Sequence, residues 1–228
     1  MIYAISDLHL DVTKEKDMNV FGDTWMDYEK KIFENWKSLV KEDDLVLVPG
    51  DISWAMNLEE AYEDLIRIDE LPGRKILLKG NHDYWWQSLN KINKVGFKSL
   101  EFLQNNSFIH EKTLIVGTRG WADPSSSEFK EADRKVFERE LLRMDLSIKD
   151  NEEEFEDIIA IMHYPPFTRE KEPNEFEEIF IDNKVSKVIY GHLHGKGLEN
   201  VVEGRVNGID YYCASADHID FRPIIIKE

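Results

Sequence analysis

Short apolar, β-rich runs recur along the chain, each followed by a polar cluster: Ile2 to Ile5, Leu45 to Val48, Ile76 to Leu78, Leu114 to Val116, Ile158 to Met162 and Val188 to Tyr190. Each reads as a buried strand. Between them the apolar period lengthens to that of a helix. Tyr28, Ile32, Trp36 and Leu39 share one face, as do Leu58, Ala61, Leu65 and Ile68, with Asn57 and Glu60 spaced as a capping pair. Pro72 and Gly73 end that second helix. A third is expected from Ser127 to about Met144, with Phe129, Ala132, Val136 and Phe137 on its apolar side. From Val201 to Ile226 the pattern predicts antiparallel strands, with turns at Gly204 and Gly208. Strands alternating with helices predict an α/β fold. With 228 residues and no repeat or low-complexity linker, the chain is expected to form one domain, residues 1–228.

The polar clusters are of one kind. The first strand runs into Asp7-Leu8-His9, the second into Gly50-Asp51, the third into Gly80-Asn81-His82-Asp83, the fifth into His163 and the sixth into Gly191-His192-Leu193-His194. In open α/β sheets the carboxyl ends of strands form the ligand crevice, so residues distant in sequence can converge there. Residues two apart on extended backbone point the same way, which pairs Asp7 with His9 and His192 with His194. Glycines before Asp51, Asn81 and His192 permit tight exits from the strands. Five of the seven histidines lie in these clusters, none of them within a thiolate pattern. Oxygen and imidazole donors suit Mn, Fe, Zn or Co rather than a cysteine-bound structural zinc. The two remaining histidines, His110 and His218, belong to no cluster and are assigned surface or core roles.

Charge sharpens this picture. The formal net charge of −17 argues against a general polyanion binder, which gains affinity by neutralising phosphates with Lys and Arg. A bare pocket holding Asp7 and Asp51 would repel a phosphate, at about 4 kcal/mol per pair at about 4 Å and an effective dielectric near 20. Two divalent ions reverse that sign and create a local anion trap on an acidic protein. The N-terminal residues Met1 to Ile5 lack the basic region of a signal peptide, and no apolar run reaches membrane-span length. One cysteine, Cys213, fits a reducing cytoplasm.

In order along the chain, Asp7-x-His9, Gly50-Asp51, Gly80-Asn81-His82-Asp83, His163 and Gly191-His192-x-His194 closely resemble the signature blocks of the calcineurin-like metallophosphoesterase superfamily. The resemblance implies a β-sandwich of two sheets flanked by helices, with two divalent metal ions, manganese foremost, at one edge. It assigns Asp7, His9 and His194 to the first metal and Asn81, His163 and His192 to the second, with Asp51 bridging them. It further implies that a metal-bridging hydroxide attacks phosphorus while His82, not a ligand, donates a hydrogen bond or proton to the leaving oxygen. Two features depart from the pattern. Many relatives carry a further Asp soon after the Gly-Asp block to orient the catalytic histidine, whereas this chain reads Gly50-Asp51-Ile52-Ser53-Trp54. The arginine that protein phosphatases of the superfamily carry beside that block is also missing.

Metal-dependent hydrolysis of small phosphomonoesters or phosphodiesters is therefore the expected activity. The missing arginine disfavours a protein phosphatase, and the lack of basic surface disfavours a nuclease and long nucleic acid as a partner. A non-catalytic scaffold protein is disfavoured by the complete ligand set. Around the clusters, Asp83 is expected to cap a following helix. Trp54, Tyr84, Trp85, Trp86 and Trp121 are candidate crevice walls that could stack on a flat group, and Arg119 is a candidate phosphate ligand. Arg74 to Lys98 carries six basic residues and one acidic, while Lys149 to Asp182 carries three basic and twelve acidic. An acidic rim of that kind near His163 would turn long polyanions away.

Overall fold

The computed structural model describes residues 1–13, 16, 18–127 and 129–228. In chain order, β1 (Ile2–Ala4), β2 (Leu45–Val48), β3 (Arg74–Leu78) and β4 (Leu100–Leu103) form one parallel sheet. A second sheet takes β5 (Phe108–His110), β6 (Thr113–Thr118), β7 (Asp157–Met162), β8 (Lys187–Tyr190), β9 (Gly204–Val206) and β10 (Ile209–Cys213), in the order β5-β6-β7-β8-β10-β9. The last strand, β11 (Ile224–Lys227), returns to the first sheet and runs antiparallel to β1. The helices are α1 (Tyr28–Leu39), α2 (Leu58–Asp69), α3 (Leu89–Asn93), α4 (Glu131–Lys149) and α5 (Phe176–Asp182).

Why the strands read as continuous apolar runs is now visible, because each has two dry faces. Ile2, Ala4, Leu45, Leu47, Ile76 and Leu78 of the first sheet meet Ile115, Ile159, Ile161 and Ile189 of the second in the layer between the sheets. The alternate residues Val46, Val48 and Leu77 pack outward on Ile32 and Trp36 of α1 and on Ala61, Leu65 and Ile68 of α2. On the far side Leu114, Ala160, Met162 and Val188 pack on Phe137 and Met144 of α4 and on Phe176 and Phe180 of α5. The result is a two-sheet sandwich with helices on both outer faces. Each such aliphatic side chain contributes about 1.5–3 kcal/mol by leaving water.

Helix α2 begins where its cap predicts: the Asn57 side chain accepts the Glu60 N–H at 3.0 Å, and the Glu60 carboxylate accepts the Met56 N–H at 3.0 Å. The third long helix begins at Glu131, later than Ser127, because the Asp133 carboxylate takes the Lys130 N–H at 2.9 Å and sets the first turn there. Glu128, inside the expected span, lies outside the described residues. The C-terminal region departs further from expectation. Only β9 and β10 form an antiparallel hairpin; β10 runs parallel to β8, and β11 crosses to the other sheet. Strands β4 and β5, at the sheet edges, carry too little apolar pattern to be read from sequence.

Candidate active site

The carboxyl ends of the two sheets are pinned together by main-chain bonds, and every predicted ligand lies at that seam. Asp7 N–H donates to Gly50 C=O at 3.0 Å and His9 N–H to Asp51 C=O at 2.9 Å, which locks the loops after β1 and β2 in register. Ser6 N–H reaches Ala214 C=O at 2.7 Å, tying the end of β1 to the end of β10 in the opposite sheet. Gly191 N–H donates to His163 C=O at 3.2 Å, joining the loops after β7 and β8.

Aiming the side chains inward requires unusual backbone. Asp7, His9, Asp51 and His192 have φ of 61°, 44°, 52° and 74°. Left-handed non-glycine residues cost on the order of 1–3 kcal/mol each and persist where the surroundings over-determine them, typically at functional sites. Of the three glycines, only Gly50 acts through a positive φ, 97°. Gly80 and Gly191 serve by lacking a side chain: a Cβ at Gly80 would collide with the Asp51 carboxylate, and one at Gly191 with Ser6 and the Asp7 carboxylate.

Two groups of donor atoms result. In the first, His194 Nε2 lies 3.1 Å from Asp7 Oδ1 and 3.3 Å from His9 Nε2. In the second, Asn81 Oδ1 lies 2.7 Å from His163 Nε2 and 2.9 Å from His192 Nδ1. Asp51 Oδ2 faces both, at 3.8 Å from His9 Nε2 and 3.4 Å from His163 Nε2. Asp7, His9 and His194, and likewise Asp7, Asp51 and His163, bring ligand atoms close enough to hold an ion. All seven predicted ligands therefore meet, and the donor set of carboxylate, amide oxygen and imidazole suits divalent transition metals.

Electrostatics point the same way. Against burial, which opposes charge, His194 holds the Asp7 carboxyl down at about 2, and His163 keeps Asp51 well below the usual carboxylate range. In return Asp51 lifts His163 to about 8 and Asp7 lifts His194 to about 10, again against burial. Burial pushes His9 down to about 4 and His192, beside His163, down to about 3. With protons alone, two carboxylates are balanced by two imidazoliums. A buried cluster of carboxylates, imidazoles and an amide oxygen fits divalent cations, which would supply the positive charge these carboxylates call for.

His82 is placed differently. Its backbone N–H donates to Asp51 Oδ1 at 2.8 Å, while its half-buried ring lies 4.4 Å from the Trp54 ring. Burial lowers its pKa, with Asp51 opposing. Among the described residues no carboxylate bonds to that ring; Trp54 packs on it instead, and also stacks on His9 at 4.8 Å with an interplanar angle of 22°.

Several supporting residues escaped the sequence pattern. Asp83 caps no helix. Its buried carboxylate collects the N–H groups of Asp51 and Ile52 at 2.9 Å, Ser53 at 3.2 Å and Gly80 at 2.7 Å, together with Trp85 Nε1 at 2.9 Å. It thereby holds the Asp51 and Asn81 loops together, while burial and the nearby Asp51 push its pKa up to about 6. Asp83→Ala would leave these donors in the interior unpartnered, at about 1–3 kcal/mol apiece. A drop of several kcal/mol in denaturant-measured stability is expected; an unchanged midpoint would contradict it. Asp217 accepts from His194 Nδ1 at 2.9 Å and from Gly195 N–H at 3.0 Å, fixing the ring so that Nε2 faces the cluster. Carboxylates in that position set ligand orientation and basicity, so Asp217→Ala should weaken metal affinity about 10–100-fold in a competition titration. His163 is fixed likewise by Pro49 C=O, 3.0 Å from Nδ1.

The aromatic candidates divide. Trp85 and Trp86 are buried core, the latter bonded to Gln104, so neither walls the cavity beside His192; Trp86 lines a separate cleft instead. Tyr84 is exposed, 6.3 Å from His82. Trp121 and Tyr164 line a cavity of about 430 Å³ beside His192, with the Tyr164 ring 4.1 Å from that of His192. The Arg119 side chain bonds none of the ligands; its guanidinium lies 4.5 Å over the Trp121 ring and 3.9 Å from Glu140. His110 lies in β5 and His218 pairs with Glu203. The acidic stretch is also split. Residues up to Glu156 precede β7, at the strand end opposite His163, and the stretch lines the cavity with Tyr164, Pro165, Phe167, Thr168 and Arg169, none of them acidic.

Residues 1–196 match the model of the calcineurin-like phosphoesterase family, and the chain belongs to that family. Metal-dependent phosphoester hydrolysis is the chemistry of the family. The chain is 28% identical to an uncharacterized protein of Methanocaldococcus jannaschii over 98 residues, and 33% identical to the gene 66 protein of Mycobacterium phage L5 over 78 residues. Those alignments take in 42% and 34% of this chain, and only 54% and 37% of the two relatives. Among solved structures, a protein of unknown function from Aquifex aeolicus superposes with a TM-score of 0.52 at 21% identity, covering 98% of this chain and 94% of that one. A phosphopantetheinyl hydrolase from Mycobacterium tuberculosis gives a TM-score of 0.58 at 12% identity, covering 99% and 96%. At such identities the likeness is one of fold. No helix of the described residues is long and apolar enough to cross a membrane.

Proposed function

We propose that the chain is a two-metal phosphoesterase acting on small phosphomonoesters or phosphodiesters. The observation that carries this is the position of Asp51 Oδ2, facing both donor groups from between them. In this reading Asp7, His9 and His194 hold one ion, Asn81, His163 and His192 the other, and Asp51 both. Bound there, two divalent cations, manganese foremost, would activate water at neutral pH and absorb charge developing on phosphorus.

The chain's own residues supply the rest. Asp7 and Asp51 bring the negative charge that holds the cations, and Asn81 adds an uncharged oxygen, so the loaded site keeps positive charge for an anionic substrate. His82, tethered through its backbone to Asp51 but outside both donor groups, is free to hand a hydrogen bond or proton to the leaving oxygen. A cavity of about 430 Å³ beside His192 has the size of a small-molecule site, which supports small esters over a protein or polynucleotide. The net charge of −17 supports the same choice. Buried, unpaired Cys213 supports a reducing, cytoplasmic setting, and the shared core between the sheets supports treating residues 1–228 as one domain.

Nitrophenyl phosphate and bis-nitrophenyl phosphate, assayed in parallel with added manganese, test the proposal. At least one should be turned over, and a chelator should abolish the rate with recovery on adding metal back. Turnover of neither, or a chelator-resistant rate, would count against it.

A further inference from the structure

The ends of β3 and β6, together with α4, enclose a second cleft, of about 530 Å³, that none of the seven ligands lines. Lys79, Arg119, Arg139 and Arg143 line it against a single acidic residue, Glu140. On a chain of net charge −17 this is a pronounced local reversal of sign. Glu140 is already engaged, accepting from Thr118 Oγ1 at 2.5 Å and from Arg143 Nη1 at 2.7 Å. Neither Lys79 nor Arg139 has a hydrogen-bond or ion-pair partner among the described residues. Arg119 Nε is buried and unpartnered. Like charges gathered in a cleft with low-dielectric walls raise the local potential for an anion, and unpaired guanidinium N–H groups match phosphate oxygens. Natural folds seldom bury an arginine N–H without giving it an acceptor.

The cleft also borders the metal-ligand cluster. Lys79 stands two residues before Asn81, and the Arg119 carbonyl accepts the N–H groups of His163 at 3.2 Å and Tyr164 at 2.9 Å. We propose that this cleft is a binding site for a second phosphoryl group, a phosphate or pyrophosphate anion held by Lys79, Arg119, Arg139 and Arg143. The anion is either borne by the substrate or bound free. Only the substrate-borne case rests on the phosphoesterase function; the binding site itself does not.

The direct experiment is calorimetric titration of inorganic pyrophosphate into metal-stripped full-length protein, so that no cation in the ligand cluster draws the anion there. Saturable one-to-one binding is expected, weakened about tenfold or more at low salt in the Lys79→Met/Arg139→Gln double variant, which loses two charges but keeps both carbon stems. Neither residue bonds to Glu140, and matching thermal midpoints would show that the fold is intact. Should the double variant not fold, exposed Arg139→Gln alone carries the test, with a several-fold weakening expected. No saturable binding to the wild type, or equal affinity in the variants, overturns the proposal. A kinetic arm separates the sources, using manganese-loaded enzyme with butane-1,4-diol bisphosphate and the corresponding monophosphate. Loss of kcat/KM in the double variant for the bisphosphate alone means a substrate-borne group. Unchanged kinetics with lost pyrophosphate binding means a free ligand. If neither ester is hydrolysed, the phosphoesterase function fails while the calorimetry still decides the anion site.

Discussion

Asp51→Asn is expected to remove metal and activity together. The amide keeps the shape of the carboxylate and can still accept the His82 N–H, now received by Asp51 Oδ1 at 2.8 Å. What it loses is the charge on the oxygen that faces both His9 and His163. A bridging ligand serves both ions, so weakening it empties the pair rather than one member. Losing several kcal/mol of charge stabilisation corresponds to a fall in kcat/KM of about 10³-fold or more. Elemental analysis should find less than one equivalent of metal in the purified variant and the proposed two in the wild type. A fully loaded Asp51→Asn enzyme would show that the carboxylate is not shared.

His82→Ala separates chemistry from metal binding. Its ring lies outside both donor groups, so metal content should match that of the wild type. Turnover should fall by about 10²–10⁴-fold, the usual range for a lost general acid. The loss should be smaller for esters with good leaving groups, which need less help from a proton; a uniform loss across leaving groups would point to positioning instead. The proposed role has to survive without an orienting carboxylate, since among the described residues none bonds to the ring and Trp54 packs on it. A rigid aromatic wall restricts the imidazole sterically rather than by a charged hydrogen bond.

How legible all this was in the sequence depended on what each residue acts through. The candidate ligands were readable because parallel strands deliver their next residues to one edge, and because Asp7, Asp51, Asn81, His163, His192 and His194 each stand within four residues of the end of an apolar run. The sandwich core was readable for the same reason, as runs with no polar alternation belong to strands covered on both faces. Asp83 was misread as a helix cap because its true partners are backbone N–H groups around thirty residues away, at Asp51, Ile52 and Ser53, and backbone amides leave no mark in a sequence. Asp217 could not be linked to His194 because only the crossing of β10 beside β8 brings them together. Trp85 and Trp86 stand beside the motif yet point into the core, since a loop closed around Asp83 turns them inward. The glycines were identified correctly but for only part of the reason: Gly80 and Gly191 are required by closeness to carboxylates, which no local turn preference encodes.

The claim on which the proposed function depends is a pair of cations sharing one carboxylate, and anomalous diffraction from crystals grown with manganese tests it most directly. Two peaks about 3.5–4 Å apart are predicted, one among Asp7, His9 and His194 and the other among Asn81, His163 and His192, with the Asp51 carboxylate between them. A single peak, peaks elsewhere on the molecule, or none at saturating manganese would contradict it.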